Sequence, residues 1–227
     1  METVFNMMRL MCRLVDRKRT GWNLEFPPGH QCTTRKVEYP ESTAAHMYTG
    51  MVLLWMLGLN DSIEIFMAHD MVESVAKDHA VITEIGLRRE LAEAAKKEDE
   101  LRAIEVIRFI GGAELGEKIA QLYFEFEENK TPRAKNANEV DKLDACLKAV
   151  YYCANGEQVN PWEFIANGVQ CTTNPQLRKF LELIEQEGRR LRPSIQEMEG
   201  EECEQLCLSF ASHALASGSY SSHLSQQ

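Results

Sequence analysis

No stretch of the chain approaches the roughly 20 consecutive apolar residues that a membrane-spanning helix requires, so contact with a membrane is not expected. The N-terminus also lacks the continuous apolar core of a signal peptide, because Arg9 and Arg13 interrupt a Met-rich amphipathic run. Basic residues are in the minority, 25 against 35 acidic, for a net charge of -10. Proteins that track nucleic-acid phosphates carry a basic face, so a nucleic-acid polymer is not an expected partner. This says nothing against a small anion, because one divalent cation and one or two arginines invert the field locally. The seven cysteines, Cys12, Cys32, Cys146, Cys153, Cys171, Cys203 and Cys207, are odd in number and scattered, which excludes a complete disulfide framework. A soluble protein of a reducing, intracellular compartment, cytoplasmic by expectation, follows. There is no internal repeat and no segment of clean period-two alternation, so neither a solenoid nor a sheet is foreseen.

What the sequence does contain is helical periodicity. With 227 residues and 44% hydrophobic content, one well-buried core plus an appendage can form. Val4, Met7, Met8, Met11, Leu14 and Val15 predict an amphipathic helix over 3–15, ending before Arg17-Lys18-Arg19. From Gly21 to Pro40, with Pro27-Pro28-Gly29 inside, a long surface loop is expected. Ser42 or Thr43 can cap a helix carrying His46, Met47, Gly50, Met51, Leu54 and Leu57, with Gly58 as its stop. Asp61 to Glu64 has capping-box spacing and opens a second helix expected to run through His69, Asp70 and Glu73.

Glu84 to Ile110 is rich in helix formers and ends at Gly111-Gly112, giving one long helix or two joined near 98–100. Leu115, Ile119, Leu122, Tyr123 and Phe126 mark the next helix, and Thr131-Pro132 starts another that reaches about Tyr152. The pattern weakens after Asn155, although Pro175 to Leu191 is again amphipathic. The Ser-rich end beyond Ser209 has the composition of a disordered tail. An all-α helical bundle over 1–155 is therefore expected, followed by a helical extension over 156–208 and a tail over 209–227.

Ionisable residues on apolar helix stripes are the chemical anomaly, because an unpaired buried charge is costly and a metal is one way to offset it. His46 sits between Met47, Gly50 and Leu53; His69-Asp70 is framed by Ile65, Phe66, Met67 and Val72; Asp141 lies beside Ala137, Val140 and Asp144. Two imidazoles and two carboxylates suit a divalent ion that keeps positions for other ligands. Taken singly, each residue has an ordinary structural reading, so spacing alone leaves both open. Trp55 reads as a core residue. Cys203 and Cys207, one turn apart with His213 after them, lack a second pair and are not read as a metal site.

Several blocks together are more specific. Arg19-Thr20-Gly21-Trp22, Glu41-Ser42 leading to His46-Met47-Tyr48, His69-Asp70-Met71-Val72-Glu73, Lys77-Asp78, and Ala134-Lys135 leading to Asp141-Lys142-Leu143-Asp144 resemble the HD-domain 5'-deoxynucleotidases, in that family's H…HD…D order. The resemblance covers about 5–152. It implies an HD-domain bundle with His46, His69, Asp70 and Asp141 as ligands of one divalent metal, cobalt, manganese or magnesium. Glu73 would be the general acid/base or water-orienting group, and Asp78 would approach sugar and phosphate. Lys77 and Arg19 would meet the phosphate, and Trp22 would stack on the base or, alternatively, plug the base of the loop. The implied substrate is a deoxynucleoside 5'-monophosphate and the implied assembly a homodimer. The chain departs from the family in a longer 23–40 loop containing His30 and Cys32, in Ala45 where an acidic residue is usual, and in Asn136 and Asn138 before Asp141. These changes bear on specificity more than on chemistry.

Overall fold

The computed structural model describes residues 1–26, 32–76 and 87–191. Eight α-helices are seen there, with 3-10 turns between them and no strand, only isolated bridges. They are α1 (Glu2–Met11), α2 (Arg13–Asp16), α3 (Thr43–Met56), α4 (Ile63–His69), α5 (Leu87–Glu128), α6 (Pro132–Ala154), α7 (Pro161–Cys171) and α8 (Pro175–Leu191). No described helix is long and apolar enough to cross a membrane. The 209–227 tail, Lys77, Asp78, His30, Cys203, Cys207 and His213 lie outside the described residues.

Local chemistry sets the helix ends. The Ser42 hydroxyl accepts from the Ala45 amide at 3.2 Å and starts α3, which ends where Gly58 adopts φ 72°. Thr131 accepts from the Ala134 amide at 3.2 Å, with Pro132 at the first helical position of α6. Within α5, Gly112 sits at φ 67°, ψ −171°, a conformation that L side chains rarely adopt. The chain turns back there: Arg108 pairs with Glu117 at 2.9 Å and the Tyr123 hydroxyl reaches Glu100 at 3.1 Å, so the limbs 87–111 and 113–128 form an antiparallel hairpin. The alternative break near 98–100 is not seen, since those residues continue one helix.

The main core joins Met7 and Leu10 of α1, Leu54 of α3, Ile65 and Phe66 of α4, Ile104, Ile107 and Tyr123 of α5, and Val140 and Leu143 of α6. Ile165 of α7 and Leu177, Leu181 and Ile184 of α8 belong to the same cluster, so the helices after Asn155 complete this core. Helix α7 was not foreseen, although Asn160-Pro161 repeats the cap-then-proline signal, and the Asn160 side chain accepts from the Trp162 amide at 3.2 Å. Trp55 is the reverse case. Expected in the core, it is 67% exposed on α3.

Candidate metal centre and cleft

Helices α3, α4 and α6 bring the four expected ligands together. His46 Nε2 lies 3.2 Å from Asp141 Oδ1 and 3.6 Å from Asp70 Oδ2, and His69 Nε2 lies 3.3 Å from Asp70 Oδ1 and 3.9 Å from Asp141 Oδ1. Backbone geometry aims them. Gly50 permits the approach of α4, because a Cβ there would lie 2.1 Å from Phe66 Cζ. The Phe66 ring then packs on both imidazoles, at 5.5 Å from His46 and 4.7 Å from His69. Helix α4 stops at His69 instead of running on through Asp70 and Glu73: Asp70 takes φ −96°, ψ 1°, and a 3-10 turn follows over Met71–Ser74. The buried Ser74 hydroxyl takes the Met71 carbonyl at 2.7 Å, which competes with helical pairing. Glu73 therefore reaches the centre from a tight turn, and Thr43 at the start of α3 donates to its Oε2 at 2.6 Å.

The hydrogen bonds around the imidazoles leave one nitrogen on each facing inward. His46 Nδ1 pairs with Asp144 Oδ2 at 2.7 Å, and His69 Nδ1 pairs with the Phe66 carbonyl. Both Nε2 atoms, together with Asp70 Oδ2, are buried without a hydrogen-bond partner. Such orphaned atoms are costly, and a cation within reach of all of them removes the cost. The ligand atoms of His46, His69 and Asp141 lie within 4.8 Å of one another. Mixed nitrogen and oxygen donors of this kind fit a divalent ion, and second partners such as Asp144 fix the imidazole tautomer. A second acidic grouping, Glu41 with His46 and Asp144, is a support: Glu41 is already engaged by the Trp22 indole N–H at 3.1 Å and by Lys148 at 3.2 Å.

Charge prepares the same residues. Burial holds the His69 imidazole below its ordinary pKa. Burial also raises the Asp70 carboxyl, but His69, Arg19 and His46 outweigh it and hold Asp70 low. Asp141 is held well below the usual range, burial being overcome by Lys142 and the two imidazoles. His46 differs: burial and Arg19 pull it down, yet Asp141, Asp144 and Asp70 carry it up to about 9.

The centre opens into a cleft of about 610 Å³. Arg19 enters it from the segment after α2, its Nη1 3.6 Å from Asp70 Oδ2, and Lys142 reaches Asp141 Oδ2 at 2.6 Å. The opposite wall comes from the α5 hairpin: Arg89, Glu93, Lys96 and Glu100 follow helical spacing along one limb, facing Tyr123 and Glu127 of the other. The Phe126 ring covers His69 at 4.6 Å. Sequence reasoning missed this wall, although the four-three-four spacing was readable, and it missed Asp144, Thr43 and Lys142 as parts of the site.

Trp22 does not join the cleft as a stacking face. Its indole is 3% exposed, stacked on Phe164 at 4.9 Å and edge-on to Tyr152 at 5.0 Å, so it plugs the base of the loop. The described parts of that loop are tied down rather than free. Leu24 and Arg35 exchange backbone hydrogen bonds at 2.8 and 3.2 Å, and the buried Arg35 bridges the Gly21 carbonyl at 3.2 Å and Glu163 of α7 at 3.0 Å.

Comparison with known proteins shows the family and the fold. The family model described as an HD domain matches residues 23–179. The chain is 28% identical over 156 residues to 5'-deoxynucleotidase HDDC2 of Xenopus laevis, covering 66% of this chain and 70% of that protein. It is 28% identical over 148 residues to 5'-deoxynucleotidase hdd1 of Schizosaccharomyces pombe, with 63% and 68% covered, and 25% identical over 156 residues to human HDDC2, with 66% and 69% covered. Among solved structures, the PH0347 protein of Pyrococcus horikoshii superposes with a TM-score of 0.55 at 20% identity, covering 82% of this chain and 98% of that one. A conserved hypothetical protein of Pyrococcus furiosus gives 0.55 at 22% identity, with 80% and 99% covered, and at such identities the likeness speaks for the fold alone.

Proposed function

We propose that this chain, which belongs to the HD domain family, is a metal-dependent 5'-deoxynucleotidase that hydrolyses 2'-deoxynucleoside 5'-monophosphates to deoxynucleoside and phosphate. The observation that carries the reading is the convergence of two orphaned imidazole nitrogens and two carboxylates at the floor of a cleft lined by His69, Asp70, Asp141, Arg19 and Lys142, with His46 buried behind it. The substrate itself is argued from the relatives, which bear the name 5'-deoxynucleotidase. His46, His69, Asp70 and Asp141 would hold the divalent cation (cobalt, manganese or magnesium), which when bound would supply Lewis-acid polarisation of a phosphoryl oxygen and a lowered pKa for water.

The chain's own groups do the rest. Arg19 offers a guanidinium that forks onto phosphate oxygens. Glu73, fixed by the Thr43 hydroxyl, takes a proton from the attacking water and delivers it to the leaving 5' oxygen as the P–O bond breaks, releasing the alcohol. Asp144 holds the His46 ring so that Nε2 faces the ligand position. By resemblance, Asp78 would serve the sugar and Lys77 would offset phosphate charge, and both lie outside the described residues. The far wall sets Glu93, Glu100 and Glu127 against Arg89 and Lys96, which are already paired with Glu93 at 2.8 Å and Glu100 at 3.5 Å, so the described wall offers no uncompensated cation to a second phosphate, which favours monophosphates. Trp22 acts by holding the loop that carries Arg19, so base stacking is assigned to no residue. The resemblance also implies a homodimer, which sedimentation of the purified protein tests.

The deciding assay incubates metal-loaded protein with deoxynucleoside 5'-monophosphates, ribonucleoside 5'-monophosphates and 3'-monophosphates and measures phosphate release beside Asp141→Ala. Release from the deoxy 5' series that disappears in the variant supports the reading. Silence from all three sinks this substrate assignment and leaves an HD-family fold that acts on another nucleotide or phosphorylated metabolite or serves as a non-catalytic interaction module.

A further inference from the structure

Lys142 is the unexplained charge at the centre. Consecutive helix positions point about 100° apart, so a residue directly after a buried ligand is expected on a different face. Its side chain nevertheless lines the cleft, 40% exposed, and its Nζ sits 2.6 Å from Asp141 Oδ2. Asp141 thus divides its oxygens. Oδ1 faces the imidazole nitrogens of His46 and His69, at 3.2 and 3.9 Å, while Oδ2 is held by Lys142. Arg19 stands at the other carboxylate in a similar way, its Nη1 3.6 Å from Asp70 Oδ2 and likewise on the cleft. The two cations therefore flank the position toward which the ligand atoms converge, one beside each carboxylate.

We propose that Lys142 is a phosphate-binding residue: its ammonium, parked on the outer oxygen of Asp141, contacts the phosphoryl oxygens of the substrate and of the phosphate product, opposite Arg19. An ammonium has three donors, and Asp141 Oδ2 engages one geometry of a long flexible stem. When a cation shares the charge of Asp141, the pull of that carboxylate on Lys142 falls, and a dianionic phosphate becomes the stronger partner. Lys96, the other lysine on the cleft among the described residues, is set against Glu100 at 3.5 Å on the far wall, so it does not duplicate this position. The assignment rests on the reading of the site as a phosphomonoesterase centre and is independent of which alcohol carries the phosphate.

The test is binding, not turnover. Manganese affinity is measured by calorimetry, and inorganic phosphate affinity of the manganese-loaded protein by equilibrium dialysis, for the native chain, Lys142→Met and Lys142→Arg. Lys142→Met is expected to bind manganese as tightly as the native chain or tighter and phosphate about tenfold more weakly or worse, with Lys142→Arg recovering most of the loss. Phosphate affinity within twofold of native, or manganese and phosphate weakened by the same factor, overturns the assignment. Native protein that binds no phosphate when manganese-loaded overturns it too. Native protein that binds phosphate through Lys142 yet releases none from deoxynucleoside 5'-monophosphates refutes the substrate reading and leaves Lys142 in place.

Discussion

Proton and metal compete for His46, and the size of that competition can be worked out. The metal-free centre holds this imidazole up to about 9 through Asp141, Asp144 and Asp70, whereas a metal ligand must be neutral. At pH 7, two pH units lower, only about 1% of metal-free chains carry a neutral His46, so apparent affinity is roughly 100-fold below its plateau. Asp70, Asp141 and His69 are held low and stay deprotonated across this range, so one proton is displaced, not several. Calorimetric titration of metal into stripped protein between pH 6.5 and 9, in buffers of different ionisation heat, should give an affinity that rises about tenfold per pH unit at the acid end and levels off toward pH 9, with about one proton released per cation at pH 7 and about half a proton at pH 9. A flat profile, or two protons released, refutes the reasoning. The same shift has an opposite signature in stability. Because the folded pKa lies above the unfolded 6.5, His46 contributes up to ~3 kcal/mol to the metal-free fold below about pH 6.5, and that contribution disappears as pH rises through about 9. Stripped protein should therefore melt lower at pH 9 than at pH 6.5, while saturating metal offsets the loss.

Other consequences are more local. Glu73→Gln should lower kcat by about 10²- to 10⁴-fold with little change in KM, since it removes proton transfer and leaves the cation and Arg19 in place; an equal loss in metal affinity would show that Glu73 is structural. Gly50→Ala should cost about 1–3 kcal/mol in denaturant titrations because its Cβ would meet Phe66 at 2.1 Å, and an unchanged midpoint would mean that α3 and α4 separate freely. Glu163→Gln removes the charge opposite the buried Arg35 while leaving an oxygen to accept from Thr33, and should destabilise by about 3 kcal/mol in denaturant titrations. An unchanged midpoint would contradict this account of the loop anchor.

Much of the molecule was legible because its signals are local. Ser42, Gly58, Thr131-Pro132 and the Pro175–Leu191 stripe act within one turn of themselves, and the helices begin and end where they direct. Histidines on apolar stripes were legible as anomalies, and several separated motifs together made them a site. What escaped depends on contacts between distant residues. Helix continuity through Asp70 gives way to a 3-10 turn over Met71–Ser74 that buries Val72 and Ser74, packing that no local signal announces. The position of Trp22 depends on Phe164 and Tyr152, each more than a hundred residues away. Trp55 shows the converse, since its aromatic composition argued for burial but none of the described residues covers that part of α3. The α5 wall became visible only once Gly112 had folded the hairpin back.

The central claim is that His46, His69, Asp70 and Asp141 hold one divalent cation required for phosphate release. Chelator-stripped protein should be reloaded with manganese, dialysed, and analysed for bound metal beside His69→Ala and Asp141→Ala, with phosphate release from a deoxynucleoside 5'-monophosphate measured on the same samples. The account predicts one manganese per native chain, recovery of hydrolysis in proportion to it, and loss of both in the variants. Full hydrolysis by the stripped protein, or undiminished metal in the variants, would contradict it.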